Sequence, residues 1–82
     1  MPADEVPEGC PLTARQLRLL ALVAQGHPGS VIARRLGIAR GSVAVGIVAI
    51  RRKLGVASRD DAILLALNRG WVSRETPGRH GR

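Results

Sequence analysis

The residues of this chain best equipped for chemistry are cations, and they sit close together. Arg51, Arg52 and Lys53 are consecutive, Arg40 stands upstream of them, and Arg34 and Arg35 form a pair. Guanidinium and ammonium groups are pure donors, and phosphate is their natural acceptor. Between Arg40 and Arg51 lies the run GSVAVGIVAI, which is almost wholly apolar. This pattern suits gripping a polyanion rather than making or breaking bonds. Residues of types that act on substrates are scattered. His27 and His80 have no partner at metal-ligand spacing, and a lone histidine in a loop is usually a solvated side chain. Cys10 is the only cysteine, so neither a disulfide framework nor a cysteine metal cluster can form within the chain. Asp60 and Asp61 are explained by helix capping, and the glycines lack phosphate-loop spacing. The expectation is a protein that is not an enzyme and uses no metal or cofactor.

Those cations must be held by a small scaffold. The chain has 82 residues, room for one domain close to the lower limit for an unaided core. One Trp with no Phe or Tyr makes the core aliphatic and removes the aromatic platforms on which single-stranded nucleic acid stacks. The net charge of +7 is uneven: +8 over residues 11–72, −3 over the head before them, and +2 over the tail. A basic folded part suggests a polyanionic partner. No segment has the form of a signal peptide, and no apolar run approaches ~18 residues, so a soluble cytoplasmic protein away from membranes is expected.

The chain divides into a proline-rich acidic head, expected to be disordered, at residues 1–11, a helical domain at 12–72, and a polar flexible tail at 73–82. Helices are expected near 13–25, 29–36, 40–54 and 59–69. Thr13 and Gln16 form a capping-box pair, with Leu12 a possible staple outside it. Leu19, Leu20 and Val23 make the first core stripe, and Gly26 ends the helix. Leu17 falls off the stripe. Pro28 can begin the second helix, or Ser30 can cap it. Ile32 and Leu36 lie on one face, Ala33 permits close helix approach, and Gly37 supplies the stop. Val43, Ile47, Ile50 and Leu54 then repeat as one helical stripe. Two helices joined by a short glycine turn form a helix-turn-helix.

Two places are ambiguous. By local propensity VAVGIVAI reads as strand, and Gly46 in mid-helix costs about 1 kcal/mol relative to Ala. The 3.6-residue stripe favours helix. Ala39 occupies the third helix's cap position, and Ser42 can cap a later start. In the last helix, opened by the Ser58–Asp61 pair, Ala62, Ile63 and Ala66 would face the core. Leu64, Leu67 and Asn68 would then point outward. Either the buried face is wide, or a second copy packs on these residues.

The runs LTARQLRLLALVAQG, IARRLGI and SVAVGIVAIRRKLGVASRDDAILLAL together resemble the LuxR/GerE-type DNA-binding domain of bacterial transcriptional regulators. The resemblance covers about residues 12–72. It implies an all-α, compact four-helix domain in which the second and third helices form the helix-turn-helix. The third helix enters the major groove and the fourth dimerises. Departures fall on the third helix. The family's Lys and His positions hold Ala44 and Gly46, its polar positions hold Val48 and Ala49, and Val45 keeps the family type. Arg52 and Lys53 match the basic end where phosphates are contacted. Glu is typical where Gln16 stands, and Lys-Glu where Ser30 and Val31 stand.

Two functions follow. The first is a dimeric regulator of transcription bound to double-stranded DNA. Arg40, Arg51, Arg52 and Lys53, with Arg34 or Arg35, would hold phosphates. Ser42, Ala44, Val45 and Val48 would face the bases, with Leu64, Leu67 and Asn68 at the dimer contact. The alternative is a protein-interaction module that has lost base-specific DNA binding. Val45, Val48, Val31, Leu17 and Trp71 would then meet another regulator or the transcription machinery. Steep salt dependence separates the two.

Overall fold

The computed structural model describes residues 6–74 of the chain. Most of the expected tail and the first part of the head, residues 75–82 and 1–5, lie outside the described residues. Four α-helices follow in order, α1 (Ala14–Ala24), α2 (Gly29–Leu36), α3 (Arg40–Leu54) and α4 (Arg59–Asn68), with no strand among the described residues.

The helix starts follow local chemistry unevenly. At α1 the capping box is complete. The Thr13 side chain accepts from the Gln16 N–H at 3.1 Å, and Gln16 Oε1 accepts from the Thr13 N–H at 3.0 Å. At α4 only the forward half is made: Ser58 Oγ accepts from the Asp61 N–H at 3.0 Å. Asp is one methylene shorter than Gln and does not reach back to the cap. Pro28 precedes α2 as its cap residue without a side-chain hydrogen bond, so Ser30 is not the cap and lies inside the first turn. Ala39 likewise caps α3 with backbone alone. Ser42 starts no later helix: its N–H donates to the Ala39 carbonyl at 3.0 Å, inside a turn already formed.

The stops are uniform. Gly37 and Gly55 both take φ of +69°, a left-handed backbone that costs glycine nothing sterically. The next residue's N–H then folds back to a carbonyl in the last turn, Ile38 to Ala33 at 3.0 Å and Val56 to Arg51 at 3.1 Å. These bonds satisfy carbonyls a helix end would otherwise leave open. They also turn Ile38 and Val56 inward, where both pack on the core.

The core is aliphatic, with Leu20 and Ile50 its largest fully enclosed side chains. α1 and α3 form the central pair: each touches the other three helices, while α2 and α4 do not meet. The expected stripe of α3 faces inward, with Val43 and Ile50 buried and Ile47 and Leu54 half-buried against the core. Tertiary burial therefore overrides the strand propensity of VAVGIVAI. Leu17 is half-buried and packs on the core, as does Trp71 beyond α4. Packing also reaches back before residue 12. The Cys10 N–H donates to the Pro7 carbonyl at 3.1 Å, and Cys10 lies half-buried on the core beside buried Leu12.

The outer face of α4 needs a correction. Ala62, Ile63 and Ala66 are buried as expected, and Leu64 is 53% exposed. Leu67, expected to point away, is half-buried and packs on the core. The outward residues are Asp61, Leu64 and Asn68, with Leu65 half-buried at their edge. The buried wedge from Ala62 to Ala66 is wide enough to take Leu67, which is one residue after Ala66 and four after Ile63.

Candidate nucleic-acid interface

α3 is buried on one side and bare on the other. Arg40, Gly41, Ser42, Ala44, Val45, Val48, Arg52 and Lys53 are all exposed. Val45 is 69% exposed and Val48 is 37% exposed. The helix-turn-helix thus brings most of the expected interface residues onto one surface, an apolar patch running into a basic end. α2 braces it from behind through Ile32 and Ala33 and places exposed Arg34 and Arg35 nearby in sequence to the turn.

The three cations at the end of α3 occupy its last turn, where the helix dipole favours positive charge. They differ in setting. Arg52 is exposed and its guanidinium makes no hydrogen bond within the described residues. Arg51 is half-buried, and its Nε is enclosed without a partner. That leaves the terminal nitrogens of Arg51 as its route to an anion. Lys53 is tied across the molecule: Nζ donates to Gln16 Oε1 at 3.0 Å. The Gln16 oxygen already accepts from the Thr13 N–H, so one atom closes the α1 cap and anchors the end of α3. Because Gln16 is neutral, it orients the ammonium without cancelling its charge.

Two features escape a reading of the sequence. The first is that Gln16–Lys53 link, made between residues 37 apart; the capping motif identified Gln16 but not its second partner. The second is the seat of Gly46. A Cβ at this position would stand 2.5 Å from Leu19 Cδ2, and Leu19 is buried. The glycine that weakens α3 locally is what lets α3 lie against α1. Beside it opens a groove of about 350 Å³ lined by Leu19, Leu36, Ile38, Val45 and Gly46, with Thr13, Arg15, Gln16 and Ser42 also on its wall.

Among the described residues no group of His, Cys, Asp or Glu is placed to hold a metal ion. No described helix is long and apolar enough to cross a membrane.

With this geometry in hand, the chain can be set beside known proteins. The family model for bacterial regulatory proteins of the luxR family matches residues 10–66. The response regulator RamR of Streptomyces coelicolor is 43% identical over 62 residues, which is 76% of this chain and 31% of RamR. The transcriptional regulatory protein DesR of Bacillus subtilis is 40% identical over 83% of this chain and 34% of its own length. The nitrate/nitrite response regulator NarL of Escherichia coli is 38% identical over 78% of this chain and 27% of NarL. The chain therefore spans about a third or less of these relatives. Among solved structures, VqmA bound to DPO superposes with a TM-score of 0.70 at 39% identity, covering 82% of this chain and 33% of VqmA. The Vibrio cholerae VqmA dimer without target DNA, described as a LuxR-type receptor, gives a TM-score of 0.68 at 40% identity over 73% of this chain and 27% of that one.

Proposed function

The chain belongs to the luxR family of bacterial regulatory proteins, and from that premise we propose that it regulates transcription by binding duplex DNA as a dimer. The observation that carries this reading is the outer face of α3, apolar in its middle and cationic at its end, with Arg52 exposed and unengaged. In this reading α3 lies in the major groove. Arg40, Arg51, Arg52 and Lys53 hold phosphates, which set the register without carrying sequence information. Ser42, Ala44, Val45 and Val48 face the base edges, where an apolar side chain finds the thymine methyl. Base readout is limited, and DNA shape and half-site spacing supply the remaining selectivity.

The dimer contact is assigned to the outward stripe of α4, with Leu64 and Asn68 joined by Leu65, and Leu67 at the edge. An exposed leucine beside a half-buried one on a small domain is a normal site for a two-fold contact. The protein would act in the cytoplasm, where its DNA lies. A second reading is supported by the 69% exposure of Val45: the same face would grip another regulator or the transcription machinery through apolar contact.

The test is fluorescence anisotropy against random-sequence duplexes over a salt series. Four phosphate contacts per protomer, or eight per dimer, give a log–log slope of about −7, so affinity falls on the order of 10,000-fold between 50 and 200 mM salt. Flat salt dependence, or no duplex binding at low salt, removes the DNA reading and leaves the protein-contact one.

A further inference from the structure

The head of the chain carries charge that DNA binding does not use. Asp4, Glu5 and Glu8 are three of the chain's six carboxylate side chains, gathered within five residues. Glu8 is exposed and makes no ion pair among the described residues. Asp4 and Glu5 lie outside the described residues. The fold fixes where this charge is tethered. Cys10 and Leu12 pack on the core, and the Cys10 N–H donates to the Pro7 carbonyl, closing a turn that carries Glu8. The chain then enters α1 through Thr13. The Thr13 N–H and Lys53 Nζ both donate to Gln16 Oε1, each at 3.0 Å. The root of the head and the cationic end of α3 therefore meet on one oxygen atom. Glu8 stands five residues before Thr13, a tether of at most about 18 Å when fully extended. On the other side, Arg52 is exposed and uncommitted.

We propose that the acidic head is an intramolecular brake on DNA binding: its carboxylates engage Arg52 and Lys53 at the end of α3, and phosphates must displace them. The inference rests on the DNA-binding reading above. Charge is complementary, −3 on the head against +8 on residues 11–72. A short tether holds its ligand at an effective concentration in the millimolar range, so the contact does not need strong individual pairs. Exposed carboxylate–cation pairs are weak and screened by salt. The brake therefore yields to a duplex that offers many phosphates at once and lowers affinity without abolishing it. The neutral Gln16 matters here as well, since the ammonium it orients keeps the charge for which head and phosphate compete.

The test compares the full chain with its Asp4→Asn/Glu5→Gln/Glu8→Gln variant on random-sequence duplexes. At low salt the neutral head should bind about three- to tenfold more tightly, and the gain should shrink as salt rises and screens the head. Removing three negative charges favours a polyanion wherever they sit, so location has to be separated from net charge. The same head change is therefore made in two backgrounds, Arg52→Gln/Lys53→Gln and Arg59→Gln/Arg74→Gln. Arg59 and Arg74 line a pocket with Val23, Ala24 and Gly26, at the other end of α1 from Thr13. The gain should fall below twofold without Arg52 and Lys53 and persist without Arg59 and Arg74. No gain in the unmodified background, or an equal gain in the two others, overturns the brake. Proton–nitrogen NMR of the free protein reads the contact without DNA. Neutralising the head should move the Arg52 side-chain and Lys53 amide signals and leave those of Arg59. Unmoved Arg52 and Lys53 signals overturn the proposal even where duplex affinity is too weak to compare. Absence of duplex binding at low salt by both proteins is a different failure, that of the DNA reading itself.

Discussion

Two helix faces in this protein leave apolar side chains in water, and their surroundings differ. On α3, Val45 and Val48 run into Arg52 and Lys53. On α4, exposed Leu64, with half-buried Leu65 beside it, is bracketed by Asp61 and Asn68. Similar hydrophobic exposure therefore carries different meanings. An apolar strip ending in cations matches a surface that mixes methyl groups with phosphates. An apolar strip with an acid and an amide has no such match, and the proposed dimer would cover it with a copy of itself, the two ends of a two-fold contact meeting different residues. The two faces also stand on different supports. The α3 face is braced by α1 through the Lys53–Gln16 bond and the Gly46–Leu19 seat. α4 packs on α1 and α3 but not on α2, and its exposed Leu64 lies outside that packing.

Breaking the α4 face should have the largest effect. Leu64→Glu puts a charge into the proposed contact, at a cost of about 3 kcal/mol or more for an unpaired buried charge. Sedimentation should then find a dimer weakened by two or more orders of magnitude. Circular dichroism should be unchanged, because Leu64 is already 53% exposed. A protein that is monomeric before the change, at high concentration, contradicts the assignment of this face.

Arg52→Ala comes next and addresses the other face. It should lower duplex affinity about tenfold or more on every sequence and reduce the salt slope by about 0.9 per protomer. The dimer equilibrium should not move. Equal loss of dimer and DNA binding would mean that the two faces are not independent.

A smaller effect tests the brace. Thr13→Ala removes the α1 cap and should cost about 1 kcal/mol, a fall in Tm of roughly 4–8 °C for a domain of this size. Because Gln16 shares its oxygen between the cap and Lys53, duplex affinity should also fall slightly, with dimerisation unaffected. A Tm change with no change in DNA binding would disconnect α1 from the α3 face.

The smallest effect sharpens the role of charge. Gln16→Glu keeps the geometry but gives Lys53 a carboxylate. An exposed ion pair contributes only about 0.2–1 kcal/mol to folding, so stability should hardly change. The carboxylate should offset the ammonium toward phosphate, and the salt slope should fall by less than the Arg52→Ala value. An increase in DNA affinity would refute the idea that a neutral partner keeps this cation available.

Most of the fold was legible because most of it is local. The Thr13–Gln16 box, the glycine stops at Gly37 and Gly55, and the stripe from Val43 to Leu54 are patterns within a turn or two of helix. They place all four helices within a residue or two of their observed ends. The cations and the bare α3 face were also legible, since a helix with one core stripe exposes the opposite side. The places that misled were those where two side chains compete for one position. Leu67 packs on the core although its place in the helix suggested the outer face, a choice decided by the width of the space over Ala62, Ile63 and Ala66. Ser30 and Ser42 have the chemistry of caps, yet both helices start earlier on backbone alone.

What the sequence determined by itself is therefore the set of helices, the turn that joins α2 to α3, the aliphatic character of the core and the excess of positive charge. Each follows from interactions between residues three or four apart, or from composition. The tertiary structure alone decided that Gly46 is a contact point with Leu19 as well as a weak spot in a helix, that Gln16 holds Lys53, and that a groove opens between α1 and α3. These depend on which surfaces meet when the helices pack. Residues far apart in the chain set that distance, and no local periodicity records it.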